Sequence, residues 1–154
     1  MRLVVAVVGK ARNPALGEAI RDYETRAARY WPLDVHEVRE EKAAGIPLER
    51  VKEREGLWLS EKIPERAQTV ACDRSGKSLS SEQFAEFLRK ARDEDRDLAF
   101  LIGGAFGLAP DVAATSTMKL SLAPWTLPHE IARLVLAEQI YRAGTIVRGE
   151  PYHK

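Results

Sequence analysis

The sequence predicts an α/β fold, a mostly parallel sheet flanked by helices, and three observations carry that prediction. Strand-like and helical runs alternate along the chain. The opening RLVVAVVG, residues 2–9, is a continuous β-branched run of the kind a strand buried on both faces requires. Two later stretches, SLSSEQFAEFLRKARDE and the segment from about 128 to 146, carry apolar residues at helical spacing.

Taken in order, Asn13 and Pro14 open a helix through about Tyr30, with Ala15, Leu16, Ala19, Ile20 and Tyr23 on one face. LDVHEVRE reads as a strand from the alternation of Leu33, Val35 and, after a break at Glu37, Val38. Leu48 to Ser60 reads as a helix, with Leu48, Val51, Leu57 and Leu59 among charges. QTVACD is a short strand, and Ser80 or Ser81 starts the helix that places Phe84, Phe87, Leu88 and Ala91 together. DLAFLIGG is a buried strand ending in glycines, and KLSLAPW is another short strand. The last helix is expected from about Pro128 to Ile146, with Thr126 as its cap and Pro128 in the first turn, where a missing N–H costs nothing. Its arc of Ile131, Leu134, Val135, Leu136, Ile140, Tyr141 and Ile146 is wider than one core-facing stripe needs. Such a helix is either buried within its own chain or shared between the sheet and a partner chain.

Length and composition narrow the classes. A chain of 154 residues, 45% hydrophobic and 31% charged, is expected to form one domain over 1–154 and to be soluble and globular. No apolar run approaches the roughly 18 residues of a membrane span. The single cysteine, Cys72, excludes an internal disulfide and a cysteine-based zinc site, and the cytoplasm is the expected compartment. His36, His129 and His153 have no metal-ligand spacing, so no metal is expected. With a net charge of +1, any RNA partner has to be met by a local patch or by surfaces pooled in an oligomer.

Four motifs bear on chemistry. ACDRSGKS, residues 71–78, fits the relaxed phosphate-binding loop, but Ala71 stands where that loop needs glycine and no acidic residue ends the later apolar strand. Asp73 to Lys77 is therefore read mainly as a turn. FLIGGAFG sets Gly103, Gly104 and Gly107 at the carboxyl end of a strand, where ligands bind in open α/β sheets. These glycines either admit a ligand to bare backbone or make a tight turn. LSLAPWTLPHE stiffens a loop with Pro124 and Pro128 and offers Trp125 either to a planar ring or to the core. The chain ends in Pro151-Tyr152-His153-Lys154, an unusual composition for a frayed terminus.

The segments IGGAxG, TLPHxxAR, EQxYRA and the terminal PYHK, in this order and spacing, resemble the SPOUT class of methyltransferases, specifically the RlmH type. That family methylates N3 of a pseudouridine in large-subunit ribosomal RNA. The resemblance covers nearly the whole chain and is most specific in the last third. Departures are small: Cys72 stands where an aliphatic residue is usual, and Trp125 follows Pro124 in the cofactor loop. It implies a C-terminal trefoil knot, against the base rate for connections, and a homodimer that acts on the ribosome. It also implies S-adenosyl-L-methionine as cofactor, held by Cys72 and Asp73, by Gly103 and Gly104, and by the loop of Leu122, Ala123, Pro124, Trp125, Thr126, Leu127 and Pro128. In that slot Leu122, Ala123 and Trp125 would face the adenine.

The tail then acquires a role. N3–H is a weak acid that must lose its proton as the methyl arrives. An imidazole titrates near physiological pH, which makes His153 the candidate base. Tyr152 is assigned to stack on or hydrogen-bond the nucleobase, and Arg142 to stabilise developing negative charge. The tail is expected to fold over a cofactor edge, its own or that of the other subunit, with His153 and Tyr152 as binding contacts alone being the alternative. Arg133 is read as a dimer or RNA contact, and Glu138 with Arg142 as a surface pair. Lys10, Arg12, Arg142, Arg148 and Lys154 are candidates for phosphate contacts. Two other classes compete: a P-loop-like nucleotide-binding protein dependent on Lys77, and a noncatalytic ribosome-associated module.

Overall fold

A computed structural model describes residues 1–154. The valine-rich opening forms β1 (Leu3–Val8), and all six of its residues are buried. It is followed by α1 (Pro14–Ala27), β2 (Leu33–Val38), α2 (Leu48–Ser60), β3 (Gln68–Ser78) and α3 (Ser81–Asp93). The chain then continues through β4 (Leu98–Ile102), α4 (Pro110–Thr115), β5 (Met118–Ser121) and α5 (His129–Arg148). One five-stranded sheet results, in the order β2-β1-β4-β3-β5, and every neighbouring pair is parallel. A parallel sheet needs both faces covered, which is why β1 and β4 read as unbroken apolar runs.

The two faces divide the strands by alternation. Leu3, Val5 and Val7 of β1 join Leu98, Phe100 and Ile102 of β4 against α1, α3 and α5. Ala6 and Val8, with Leu101 of β4, turn to the other side and meet Leu59 of α2. Both α1 and α3 pack on α5, so α5 lies between them over the sheet. That placement accounts for Leu136, Ile140, Tyr141 and Ile146 of its apolar arc, while Ile131, Leu134 and Val135 remain half-buried. Leu136 and Ile140 are fully buried there, each stabilising the fold by roughly 2 kcal/mol.

The structure departs from the sequence expectations in four places. β3 does not stop at Asp73: it runs to Ser78, with Cys72 and Lys77 both paired to Leu120, so residues 73–76 loop out of the strand. Asp73 closes that loop by accepting from the backbone N–H and hydroxyl of Ser75, at 2.8 and 2.6 Å. A short helix, α4, stands where none was expected. α1 ends at Ala27 and gives way to a turn before Tyr30. α5 begins at His129 with Pro128 outside it as the cap residue, Thr126 makes no cap bond, and the helix runs past Ile146 to Arg148. No side chain caps the helix; Glu130, in its first turn near the positive end of the helix, accepts from the backbone N–H of Arg12 at 2.5 Å.

Candidate active site

The carboxyl ends of β3, β4 and β5 converge on a cavity of about 420 Å³. Three segments close it. The Gly103 to Leu108 turn follows β4, the start of the β3 bulge supplies Cys72, Asp73 and Arg74, and the loop after β5 supplies Leu122, Ala123, Trp125, Thr126 and Leu127. The loop after β5 is tied at its root, where the buried Ser121 hydroxyl donates to the carbonyl of Ala123 at 2.9 Å. Gly103 sits so close to the returning turn that a β-carbon there would stand 2.5 Å from the carbonyl carbon of Gly107. Only glycine fits that floor.

Of the expected cofactor residues, Cys72, Asp73, Gly103, Gly104, Leu122, Ala123, Trp125, Thr126 and Leu127 line this one cavity. Pro124 and Pro128 belong to the loop but not to the lining. Trp125 is not tucked into a slot: it is 75% exposed at the rim, with the half-exposed Phe106 also on the lining. The Ser75 hydrogen bonds hold the Asp73 carboxyl below its ordinary range, so it stands as a carboxylate on the wall. Burial pushes the Cys72 thiol up to about 12. Cys72 is therefore expected to resist thiol-exchange reagents at pH 8 in the native protein and to react once the chain is unfolded, which a colorimetric thiol titration checks. Lys77 does not line the cavity and sits in the ladder between β3 and β5, so the phosphate-loop reading has no cradle.

The tail forms a second cluster. Gly149, at φ +69°, ends α5 in the left-handed region, and the N–H of Glu150 returns to the carbonyl of Thr145 at 2.9 Å. Residues 150–153 are thereby folded back along the helix. The Tyr152 ring packs on Tyr141 at a centroid distance of 4.7 Å, and its hydroxyl donates to Glu138 at 3.0 Å. The guanidinium of Arg142 lies 4.7 Å from the Tyr152 ring centroid and is fixed by Glu138. Burial, with the hydrogen bond shared with Tyr23 and the one to Glu138, pushes the Tyr152 phenol well above its ordinary range, so it stays protonated. Arg142 also contacts His153 Nδ1 at 3.2 Å. A guanidinium only donates, so Nδ1 accepts and the proton sits on Nε2, which faces Glu82 at 2.9 Å. That bond, after those from the Glu82 backbone N–H and beside Ser80, holds the Glu82 carboxyl down to about 2.

The sequence-predicted trio Arg142, Tyr152 and His153 is thus brought together, but none of the three lines the cavity of its own chain.

A family profile described as "Predicted SPOUT methyltransferase" matches residues 1–153. The chain belongs to the SPOUT methyltransferase family. It is 54% identical to the ribosomal RNA large subunit methyltransferase H of Gemmatimonas aurantiaca over 154 residues, the full length of both. The proteins of the same name from Syntrophotalea carbinolica and Clostridium beijerinckii are 41% and 37% identical, over 99% and 100% of both chains.

Within this SPOUT chain the remaining expectations sort by burial. Arg133 is no surface contact: it is buried, with Nε 2.7 Å from Glu24 and Nη1 2.7 Å from Glu37, and joins α5 to α1 and β2. Among the phosphate candidates, Arg12 is paired with Glu40 and Arg142 with Glu138, while Arg148 stacks on Tyr30. Lys10 and Lys154 are exposed and make no ion pair. His129, considered from the sequence as a metal ligand and set aside, lines the cavity, and its Nε2 is buried without a hydrogen-bond partner. Phe106 and Ala105 also line it and were not singled out, although IGGAFG contains both. No helix is long and apolar enough to cross a membrane.

Proposed function

We propose that this chain is an S-adenosylmethionine-dependent methyltransferase that modifies N3 of a pseudouridine in large-subunit ribosomal RNA on the assembled ribosome. One observation carries the reading: three loops at the carboxyl edge of a parallel sheet enclose one cavity within the usual size range of small-ligand sites. Its chemistry suits the donor. Gly103 offers bare backbone where any side chain would collide, Ile102, Leu122, Ala123 and Leu127 give an apolar wall, and Asp73 adds one fixed negative charge. When bound, S-adenosylmethionine supplies an electrophilic methyl group on a sulfonium. The chain's own part is to hold the acceptor nitrogen in line and to take its proton.

The tail residues are proposed to handle that proton and the charge it leaves, with His153 as base, Tyr152 as a contact to the nucleobase and Arg142 beside developing negative charge. In one chain they stand off the cavity, and the Nδ1 lone pair of His153 is occupied by Arg142. The reading therefore includes a homodimer in which one protomer's tail meets its partner's cavity, with Arg142 released from the imidazole. It also includes the trefoil knot, a single domain over 1–154, a cytoplasmic location with the ribosome, and no resident metal. Exposed Lys10 and Lys154 are proposed to meet phosphates.

The test is transfer of labelled methyl from S-adenosylmethionine to ribosomes that lack the modification, followed by nucleoside mass spectrometry. N3-methylated pseudouridine in the large-subunit RNA is the expected product, and unlabelled RNA would overturn the reading. His153→Ala is expected to lower turnover by about 100-fold or more at unchanged donor affinity. Full turnover in that variant would remove the base role and leave the tail as a binding contact.

A further inference from the structure

The glycine floor of the cavity rests on a buried carboxyl group. Glu55, on the inner face of α2, is 4% exposed, and a β-carbon on Gly104 would stand 2.9 Å from its Oε2 and 3.0 Å from Val8 Cγ1. Glu55 Oε1 accepts from the backbone N–H of Glu41 at 3.1 Å, while Oε2 is buried and has no partner. No ion pair compensates it. Arg54 turns to Glu41 at 3.0 Å and Arg12 to Glu40 at 2.5 Å. The groups facing Glu55 are Glu40 and Glu41, from the segment after β2, and His129 at the start of α5, whose Nε2 lies 3.7 Å from Glu40 Oε1. An ionised Glu55 would be an uncompensated buried charge beside two like charges. Burial accordingly pushes its carboxyl above the ordinary range; the Glu41 N–H and His129 oppose the shift, and the charges of Glu40 and Glu41 add to it.

We propose that Glu55 is a positioning residue for the cavity: its buried carboxyl group fills the space a Gly104 side chain would take and fixes the Gly103–Gly104 floor on which the methyl donor lies. Donor binding is then coupled to a proton on a residue outside the lining. Ionisation draws the carboxyl away from Glu40 and Glu41 toward water, and the floor loses its support. The proposal rests on the donor-binding reading given above.

The experiment is a calorimetric titration with S-adenosylmethionine between pH 5.5 and 9, on wild type, Glu55→Gln and Glu55→Ala. Wild-type affinity is expected to fall as pH rises, by up to about tenfold per pH unit once Glu55 ionises. Glu55→Gln, neutral throughout and of the same shape, is expected to hold its low-pH affinity across the range, and Glu55→Ala to bind weakly at every pH. Should Glu55→Ala not fold, Glu55→Gln decides the matter through a second readout, Tm against pH. Because the folded carboxyl sits above its unfolded value of about 4.3, its ionisation costs stability as pH rises, so Glu55→Gln should gain on wild type in that direction. A Glu55→Gln profile that follows wild type, or one as weak as Glu55→Ala, overturns the proposal alone. Wild type silent at every pH overturns the donor reading and the proposal with it.

Discussion

Gly103→Ala is expected to lower the affinity for S-adenosylmethionine by roughly 10- to 100-fold in a protein that still folds. The added methyl would lie 2.5 Å from the carbonyl carbon of Gly107 and 2.7 Å from the nitrogen of Leu108, both backbone atoms that no rotamer change can move. The Gly104–Gly107 turn, closed by the Gly107 N–H on the Gly104 carbonyl at 3.0 Å, must shift as a unit. Overpacking of that kind costs about 1–3 kcal/mol, and each 1.4 kcal/mol is about tenfold in affinity. Because the turn lies at the mouth of β4 and not under the core, the loss should appear in binding and far less in the far-ultraviolet circular dichroism. Calorimetric affinity within about threefold of wild type would show that the floor has room the structure denies.

Arg133→Ala is expected to be the most damaging single change to stability. The guanidinium is desolvated, yet its hydrogen bonds to Glu24 and Glu37 raise its pKa despite that burial. Removing it leaves two carboxylates, themselves partly buried, facing each other between α1 and β2. Breaking a buried pair from one side costs about 3 kcal/mol, or a drop of roughly 6–12 °C in Tm for a chain of this size. Restoring neutrality with Glu24→Gln and Glu37→Gln in the Arg133→Ala background should recover part of the loss. A Tm within about 2 °C of wild type would mean that the two carboxylates find water without help.

What was legible in the sequence follows from what each element is made of. β1 and β4 announced themselves because burial on both faces leaves no polar position, and α3 because its cap is local: Ser80 and Gln83 bond each other's backbone, as their spacing suggests. The strand order was not legible, since β4 enters between β1 and β3 through pairings distant along the chain. α4, six residues long, is too short to show a period. The β3 bulge looked like a terminal turn because Asp73 and Ser75 make the same bonds in either setting.

The site divides the same way. Glycines at a strand's end and a proline-stiffened loop pointed to a ligand at the carboxyl edge, and resemblance alone supplied the donor and the tail's role. Glu55 could not be singled out among the charges of ERVKEREG, nor Arg133 among those of α5, because nothing local distinguishes a buried charge from a solvated one. Their burial exists only once α2 lies over Val8 and α5 lies against α1. The hydrogen-bonded state of His153 is likewise a property of the folded tail.

The central claim, that the cavity holds S-adenosylmethionine, is tested most directly by calorimetric titration of the purified protein with that compound, run beside ATP–magnesium. Saturable binding of S-adenosylmethionine alone is the predicted result, unaffected by Lys77→Ala and weakened by Gly103→Ala. Binding of ATP–magnesium that disappears in Lys77→Ala, with no heat from S-adenosylmethionine, would contradict it.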